Sequence, residues 1–216
     1  MKTLIVFKVF SIFATQTGTT MEIKEKIICF SRSQFLKYGI RSVTMDMIAD
    51  QMGISKRTIY ENFSNKDELL ENCILEAQNE QKIMMEEMFS GSSNVIEATL
   101  KFIKIQINAI NSINPVFLIE LKKYYSDIWT KIISNEESGI TLITSLIKKG
   151  VDEELFRNDI NIEIVSRLIN EQFKLLNNQD LFPEEKFSKA EIFENIAINF
   201  LRGIATDKGL HVIKNT

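Results

Sequence analysis

The 216-residue sequence predicts an all-α protein, on three observations. Breakers are scarce: two prolines and eight glycines leave little material for the many tight turns of an all-β chain. Apolar residues recur at three- and four-residue spacing through most of the chain, and no stretch alternates convincingly with the period of two that marks a half-buried strand. Helix-start signals repeat: Asn65-Lys-Asp-Glu68, Asn94-Val-Ile-Glu97 and Ser188-Lys-Ala-Glu191 each set an acceptor three residues before a glutamate, the pattern of a capping box. With 44% apolar and 25% charged residues, the composition is that of a globular chain able to bury a sizeable core.

The elements follow in order. Residues 1–20 pair a basic start with an apolar stretch, as a signal peptide would. Lys8 interrupts the run, and no small-x-small cleavage site follows. They read as an extension outside the fold, with Met21 just before the first well-patterned helix. That helix spans Glu22 to Tyr38 with Ile23, Ile27, Cys29, Phe30, Phe35 and Leu36 at apolar positions, and Gly39 suits a left-handed C-cap. Thr44 caps a short helix that ends at Gly53, and Ser55 caps another that reaches Phe63. Asn65 opens a long helix. After the polar break Ser90-Gly-Ser-Ser93, helices are expected from Asn94, from Asn114-Pro115, from about Ser126 to Glu153 with a disturbance near Ser138-Gly139, over 162–177, and from Ser188 to about residue 207.

Charge and cysteines restrict function. Net charge is −3, and residues 72–216 carry 16 basic against 21 acidic residues, so any affinity for nucleic acid must come from a local patch. Cys29 and Cys73 lack CxxC spacing and read as small buried residues in a reducing compartment. His211 is the only histidine, which argues against histidine catalysis and multi-histidine metal sites; no phosphate-binding glycine loop occurs. Glu86-Glu87 and Glu136-Glu137 are helical neighbours pointing in different directions, so no enzyme site can be assembled.

Two short helices split by a glycine turn are the pattern of a helix-turn-helix. The stretch goes further. Gly39 ends a helix; Thr44 starts the next, which contains Ile48-Ala49 and ends at Gly53-Ile54-Ser55; Thr58-Ile59-Tyr60 precedes Phe63, and Lys66 opens the following helix. In this order and spacing, residues 37–66 resemble the amino-terminal domain of TetR/AcrR-type transcriptional regulators, over roughly residues 22–75. A weaker echo is Lys149-Gly-Val-Asp-Glu-Glu-Leu-Phe-Arg157, similar to a Gly-x-x-x-Gly-x-Phe-Arg connector of that family, with Glu154 in place of the second glycine.

A recognition helix must bury one side and show the other to the major groove. Ile59 and Phe63, four apart, are expected inward. Lys56, Arg57, Thr58, Tyr60, Glu61 and Asn62 remain for the DNA side or its edges. Thr44 can bond a phosphate beside helix amides whose dipole favours anions. The resemblance assigns Thr44, Thr58, Tyr60 and Lys66 to the DNA backbone, with Arg41 in the same surface, and makes Arg57 and Asn62 candidates for bidentate base readout. Lys56 suits either role. Arg57 departs from the small residue frequent in the family. Glu61 would repel phosphate; it can pair with Arg57, accept from a cytosine amine, or stand as a solvated residue.

The resemblance implies an N-terminal three-helix helix-turn-helix DNA-binding domain (21–68) and a C-terminal helical ligand-binding and dimerisation domain (69–216). It further implies a cytoplasmic homodimer joined through about residues 162–207, a pseudo-palindromic double-stranded DNA operator, repression, and an unidentified small-molecule effector, with no cofactor, metal or membrane. Phe102, Phe117, Tyr124, Trp129 and Phe173 are the candidate pocket aromatics, against core packing as the alternative. Lys122-Lys123 reads as a solvated face, and Met84, Met85 and Met88 as packing. The rival functions are a small-molecule-binding protein of the same fold that does not read DNA, and a helical enzyme.

Overall fold

The computed structural model describes residues 21–133 and 136–215, which leaves the expected extension 1–20 outside the described residues. Among the described residues there are eleven α-helices: α1 Ile23–Tyr38, α2 Met45–Met52, α3 Lys56–Asn62, α4 Lys66–Gly91, α5 Val95–Ser112, α6 Pro115–Tyr124, α7 Ser126–Ile133, α8 Glu136–Asp152, α9 Ile162–Lys174, α10 Lys189–Ile204 and α11 Asp207–Asn215. No strand occurs among them, only an isolated bridge between Phe156 and Ala205. No single described helix is long and apolar enough to cross a membrane.

The caps explain the boundaries. Asn65 Oδ1 accepts from Glu68 N–H at 2.9 Å and Asn94 Oδ1 from Glu97 N–H at 3.0 Å. The returning carboxylates bond one residue earlier than a standard capping box, at Ser64 N–H and Ser93 N–H. Asn114 caps α6 ahead of Pro115, and Ser188 Oγ accepts from Glu191 N–H at 3.1 Å.

Three expectations are corrected. The single helix from Ser126 to Glu153 is two helices, α7 and α8, and α8 runs unbroken through Gly139. The chain after α10 does not stop: Thr206 Oγ1 accepts from Gly209 N–H at 3.1 Å and starts α11, a Thr-Asp cap that the apolar pattern had overshadowed. Gly39 has φ 84° but ψ 163°, so it does not take the left-handed helical cap. It still needs to be glycine, because φ is positive and a Cβ there would sit 3.0 Å from both Glu120 Oε2 and Val116 Cγ1.

The described residues group into two units. The head unit holds 21–83 and Ser112–Ile132. Its core is built from Ile27, Phe35, Ile48, Ile59, Phe63, Leu69, Leu70, Phe117 and Leu121, all essentially without solvent contact. Each such side chain contributes roughly 1.5–3 kcal/mol through burial.

The second unit holds Met84–Asn111 and 133–215. Its core includes Ile103, Ile147, Phe156, Ile169, Phe173, Phe193 and Leu201. Met85 is buried and Met84 and Met88 half-buried. In this unit the Gly150–Arg157 connector closes α8: Leu155 N–H and Phe156 N–H both reach Gly150 O at 2.9 Å, and Phe156 lies so close to Gly150 that a Cβ there would meet its ring at 2.0 Å. Glu154, which replaces the second glycine of the family connector, has φ 59°.

Left-handed backbone costs a non-glycine residue about 1–2 kcal/mol, partly offset in a glycine variant by the greater freedom of its unfolded chain. Glu154→Gly is therefore expected to raise unfolding free energy by about 1 kcal/mol. Its ion pair with Lys208, at 3.7 Å, is exposed on both sides and worth little. Urea titration measures this; a midpoint at or below that of the parent protein would show that the connector carries no strain at Glu154.

Candidate nucleic-acid interface

Local chemistry shapes the helix-turn-helix. Thr44 Oγ1 accepts from Met47 N–H at 3.2 Å and starts α2. Gly53, at φ 65° and ψ 29°, takes the left-handed conformation that ends α2, and Ile54 N–H closes the turn on Ala49 O at 3.1 Å. Ser55 Oγ accepts from Thr58 N–H at 3.0 Å and starts α3 two residues later. On α3, Ile59 and Phe63 are buried as the four-residue spacing requires. The other side carries Lys56, Arg57, Tyr60 and Glu61, with the Tyr60 residue 52% exposed and the Arg57 side chain 87% exposed.

Each candidate residue has a definite environment. Arg57 Nε donates to Glu61 Oε1 at 2.7 Å, one turn along α3. Both side chains are well exposed, so the pair is weak and can yield to a stronger acceptor. Lys56 Nζ bonds Asp46 Oδ2 at 2.5 Å, linking the starts of α3 and α2, and the bond and charge of Asp46 raise the Lys56 pKa. Thr58 is half-buried, with its hydroxyl 2.8 Å from that of Ser55. Asn62, also half-buried, turns its amide back to Thr58 O at 2.8 Å. Thr44 is exposed; its hydroxyl oxygen caps α2, leaving the hydroxyl proton to be donated.

Lys66 lies deeper. Its ammonium donates to Ile40 O and Val43 O, both at 3.0 Å, tying the start of α4 to the segment between α1 and α2. Burial is the main influence on its pKa and lowers it. Arg41 lies in the same segment. Its backbone N–H donates to Glu120 Oε2 at 2.9 Å, and its guanidinium stands over the Tyr124 ring, 4.6 Å from the centroid. Thr44, Lys56, Arg57, Thr58 and Tyr60 are gathered on α2 and α3, whereas Lys66 and Arg41 are held by α1–α2 carbonyls and by α6. The charge contacts of Asp46 and Glu120 have no signal in the local sequence pattern, because their partners lie 10 and 79 residues away.

Two of the five candidate pocket aromatics share a cavity. Phe102 and Phe173 line a cavity of about 70 Å³ in the second unit, with Met85, Phe89, Leu142 and Phe193 among its other walls. Phe173 stacks on Phe193 at 5.2 Å. Thr99 is the one hydroxyl in the lining, and it is bonded to Val95 O at 2.7 Å. Phe117, Tyr124 and Trp129 belong to the head unit instead: Phe117 is core, Trp129 half-buried and Tyr124 exposed. The second unit also presents an open apolar groove along α9 and α10, lined by Val165, Leu168, Gln172, Ile196, Phe200 and Gly203 among others, with a volume of about 520 Å³. No group of three or more metal-ligating side chains occurs among the described residues.

Comparisons with known proteins agree with this geometry. The family model described as bacterial regulatory proteins, tetR family, matches residues 27–73, the segment that carries α1, α2, α3 and the start of α4. The uncharacterized HTH-type transcriptional regulator YvaF of Bacillus subtilis (strain 168) is 25% identical over 185 residues, covering 85% of this chain and 97% of that protein. A TetR family transcriptional regulator from Cytophaga hutchinsonii has a similar fold, with TM-score 0.64 at 17% identity, covering 90% of this chain and 100% of that one. The reduced form of E. coli NemR does too, with TM-score 0.64 at 14% identity and coverage of 86% and 98%. The helix-turn-helix geometry and the family match on that segment lead to one conclusion: residues 27–73 form a DNA-binding helix-turn-helix of the kind found in bacterial regulatory proteins of the tetR family, and the chain is similar to a transcriptional regulator across both units.

Proposed function

We propose that the protein is a ligand-responsive cytoplasmic repressor that binds a pseudo-palindromic operator as a homodimer, with residues 21–68 reading DNA and residues 69–216 dimerising and sensing a ligand. The observation that carries the reading is the two-sidedness of α3: Ile59 and Phe63 anchor it, and Lys56, Arg57 and Tyr60 are exposed on its outer side. Thr44 donates its hydroxyl proton to a phosphate at the positive end of α2. Thr58 and Tyr60 hold the backbone of the same groove, Arg57 leaves Glu61 for a guanine edge, and Asn62 rotates to an adenine edge. Lys56 takes phosphate or base. Lys66 supports this surface by holding the α1–α2 segment, with its remaining N–H directed to the phosphate backbone.

The dimer forms through α9 and α10. Ile164 and Leu168, one turn apart on α9, are 55% and 57% exposed, which is unusual for large aliphatic residues next to an apolar groove. The effector enters around Phe102 and Phe173. That cavity is too small for most ligands and lined almost wholly by apolar groups, so the effector is apolar and the cavity widens to take it. Ligand and DNA prefer different states of the dimer, so each lowers affinity for the other by the same factor.

The test is selection of bound duplexes from a random DNA pool in near-physiological salt, with Tyr60→Ala in parallel. An inverted repeat is expected from the parent protein and its loss from the variant, whose fold is unaffected because Tyr60 is exposed. Absence of any enriched sequence, with and without candidate apolar effectors, would favour a ligand-binding protein that does not read DNA.

A further inference from the structure

Tyr124, at the end of α6, sits in an unusual setting for an aromatic side chain. Arg41 Nη1 donates to Tyr124 Oη at 3.3 Å with the guanidinium 4.6 Å from the ring centroid, and Lys123 Nζ stands 5.2 Å from the same centroid. One phenol ring thus gathers two cations that would otherwise repel, through the negative charge of its faces. The ring is 48% exposed, and Arg41 and Lys123 are exposed as well. Neither cation forms an ion pair with a carboxylate among the described residues.

The site is held from behind. Asn114 N–H donates to Leu36 O at 3.1 Å and Asn114 Nδ2 to Lys37 O at 3.0 Å, so the start of α6 fastens the end of α1. Glu120, one turn before Tyr124, takes the Arg41 backbone N–H and packs against Gly39. The carboxylates of Asp67 and Glu120 offset two positive charges, and with Arg41, Lys123 and Lys66 the cluster stays net positive. The outward groups are all donors: the remaining N–H groups of Arg41, the ammonium of Lys123, and the Tyr124 hydroxyl proton, left free because its oxygen accepts from Arg41.

We infer that Arg41, Lys123 and Tyr124 form a phosphate-binding site beside the α2–turn–α3 unit, which takes a backbone phosphate of the operator duplex. The inference rests on the DNA-binding reading above. The site needs an anion because it offers only donors and positive charge. The anion is DNA backbone because the site is continuous in the chain with Thr44, the cap of α2, three residues after Arg41. Tyr124 and Lys123 thereby leave the roles of pocket aromatic and plain solvated lysine. The contact carries no sequence information, since phosphate is the same at every step.

The experiment measures affinity of the full chain for its selected operator and for a scrambled duplex over a range of salt concentrations. Lys123→Ala is compared with the parent protein, with Tyr124→Phe, which keeps the ring and loses the hydroxyl, and with Lys148→Ala, an exposed lysine of the other unit. Lys123→Ala should bind both duplexes about fivefold more weakly, with operator preference unchanged. The slope of log affinity against log salt should become shallower by about 0.9 per protomer. Tyr124→Phe should weaken both duplexes less, with the slope unchanged, and Lys148→Ala should match the parent. If Lys123→Ala matches Lys148→Ala in affinity and slope while the parent still selects an operator, the site is refuted and the DNA-binding reading stands. If the parent selects no duplex, both fall.

Discussion

Leu168→Glu is expected to produce a folded monomer whose operator affinity is about a hundredfold lower or worse. Leu168 is exposed in the isolated chain, so a charge there costs the fold little. In a dimer through α9 and α10 it would lie in the groove formed with Val165, Ile196 and Phe200, and a carboxylate facing its symmetry mate would be desolvated and repelled. Losing the dimer removes the second recognition helix, and linked binding of two modules is worth roughly 10²- to 10⁴-fold. Sedimentation reads the oligomeric state, circular dichroism the fold, and titration with the operator the affinity. A variant that stays dimeric would place the interface elsewhere; a monomer with full operator affinity would refute dimeric recognition.

Arg32→Ala is expected to destabilise the head unit by about 3–5 kcal/mol. Arg32 is 3% exposed and grips Glu80 with two bonds, Nη1 to Oε2 at 2.8 Å and Nη2 to Oε1 at 3.3 Å, joining α1 to α4. Removing it leaves a void and a poorly solvated carboxylate without this guanidinium. Burial already raises the Glu80 pKa, against the lowering by Arg32. A raised carboxyl pKa means that the folded state holds its proton more firmly than the unfolded state. Glu80 thus favours folding most below the ordinary carboxylate pKa, and that contribution is lost as pH rises through the folded value. Without Arg32 the shift grows, so the deficit of the variant should be smallest near about pH 4 and full near about pH 7. Denaturant titrations at both pH values test this. A deficit below about 1 kcal/mol at neutral pH would show that the pair does not support the fold.

The helix-turn-helix was legible in the sequence because its determinants are local. Thr44, Gly53 and Ser55 act on backbone groups within five residues of themselves, and the four-residue spacing of Ile59 and Phe63 sets which side of α3 is buried. The start of α11 is equally local, at Thr206, but the apolar pattern of α10 runs up to it and masks the boundary. The division of Ser126–Asp152 into α7 and α8 is not visible in apolar spacing alone, which reads as continuous across it.

Side-chain partners at long range followed another logic. A helical period places arginine and lysine on a polar face. It contains nothing to distinguish Arg57, which reaches solvent, from Arg32, which is buried on Glu80 48 residues away. Nor does it show that the Lys66 ammonium is held by the carbonyls of Ile40 and Val43. Nor does it show that Tyr124 meets Arg41 83 residues away. By itself the sequence determined the all-α class, the caps and the helix-turn-helix with its resemblance to the tetR family, because backbone hydrogen bonds and apolar periodicity act over a few residues. Only the tertiary structure decided which charges are buried, which aromatics share a cavity and which cations stand together, because these depend on which helices meet, and burial and pairing energies exist only once they do.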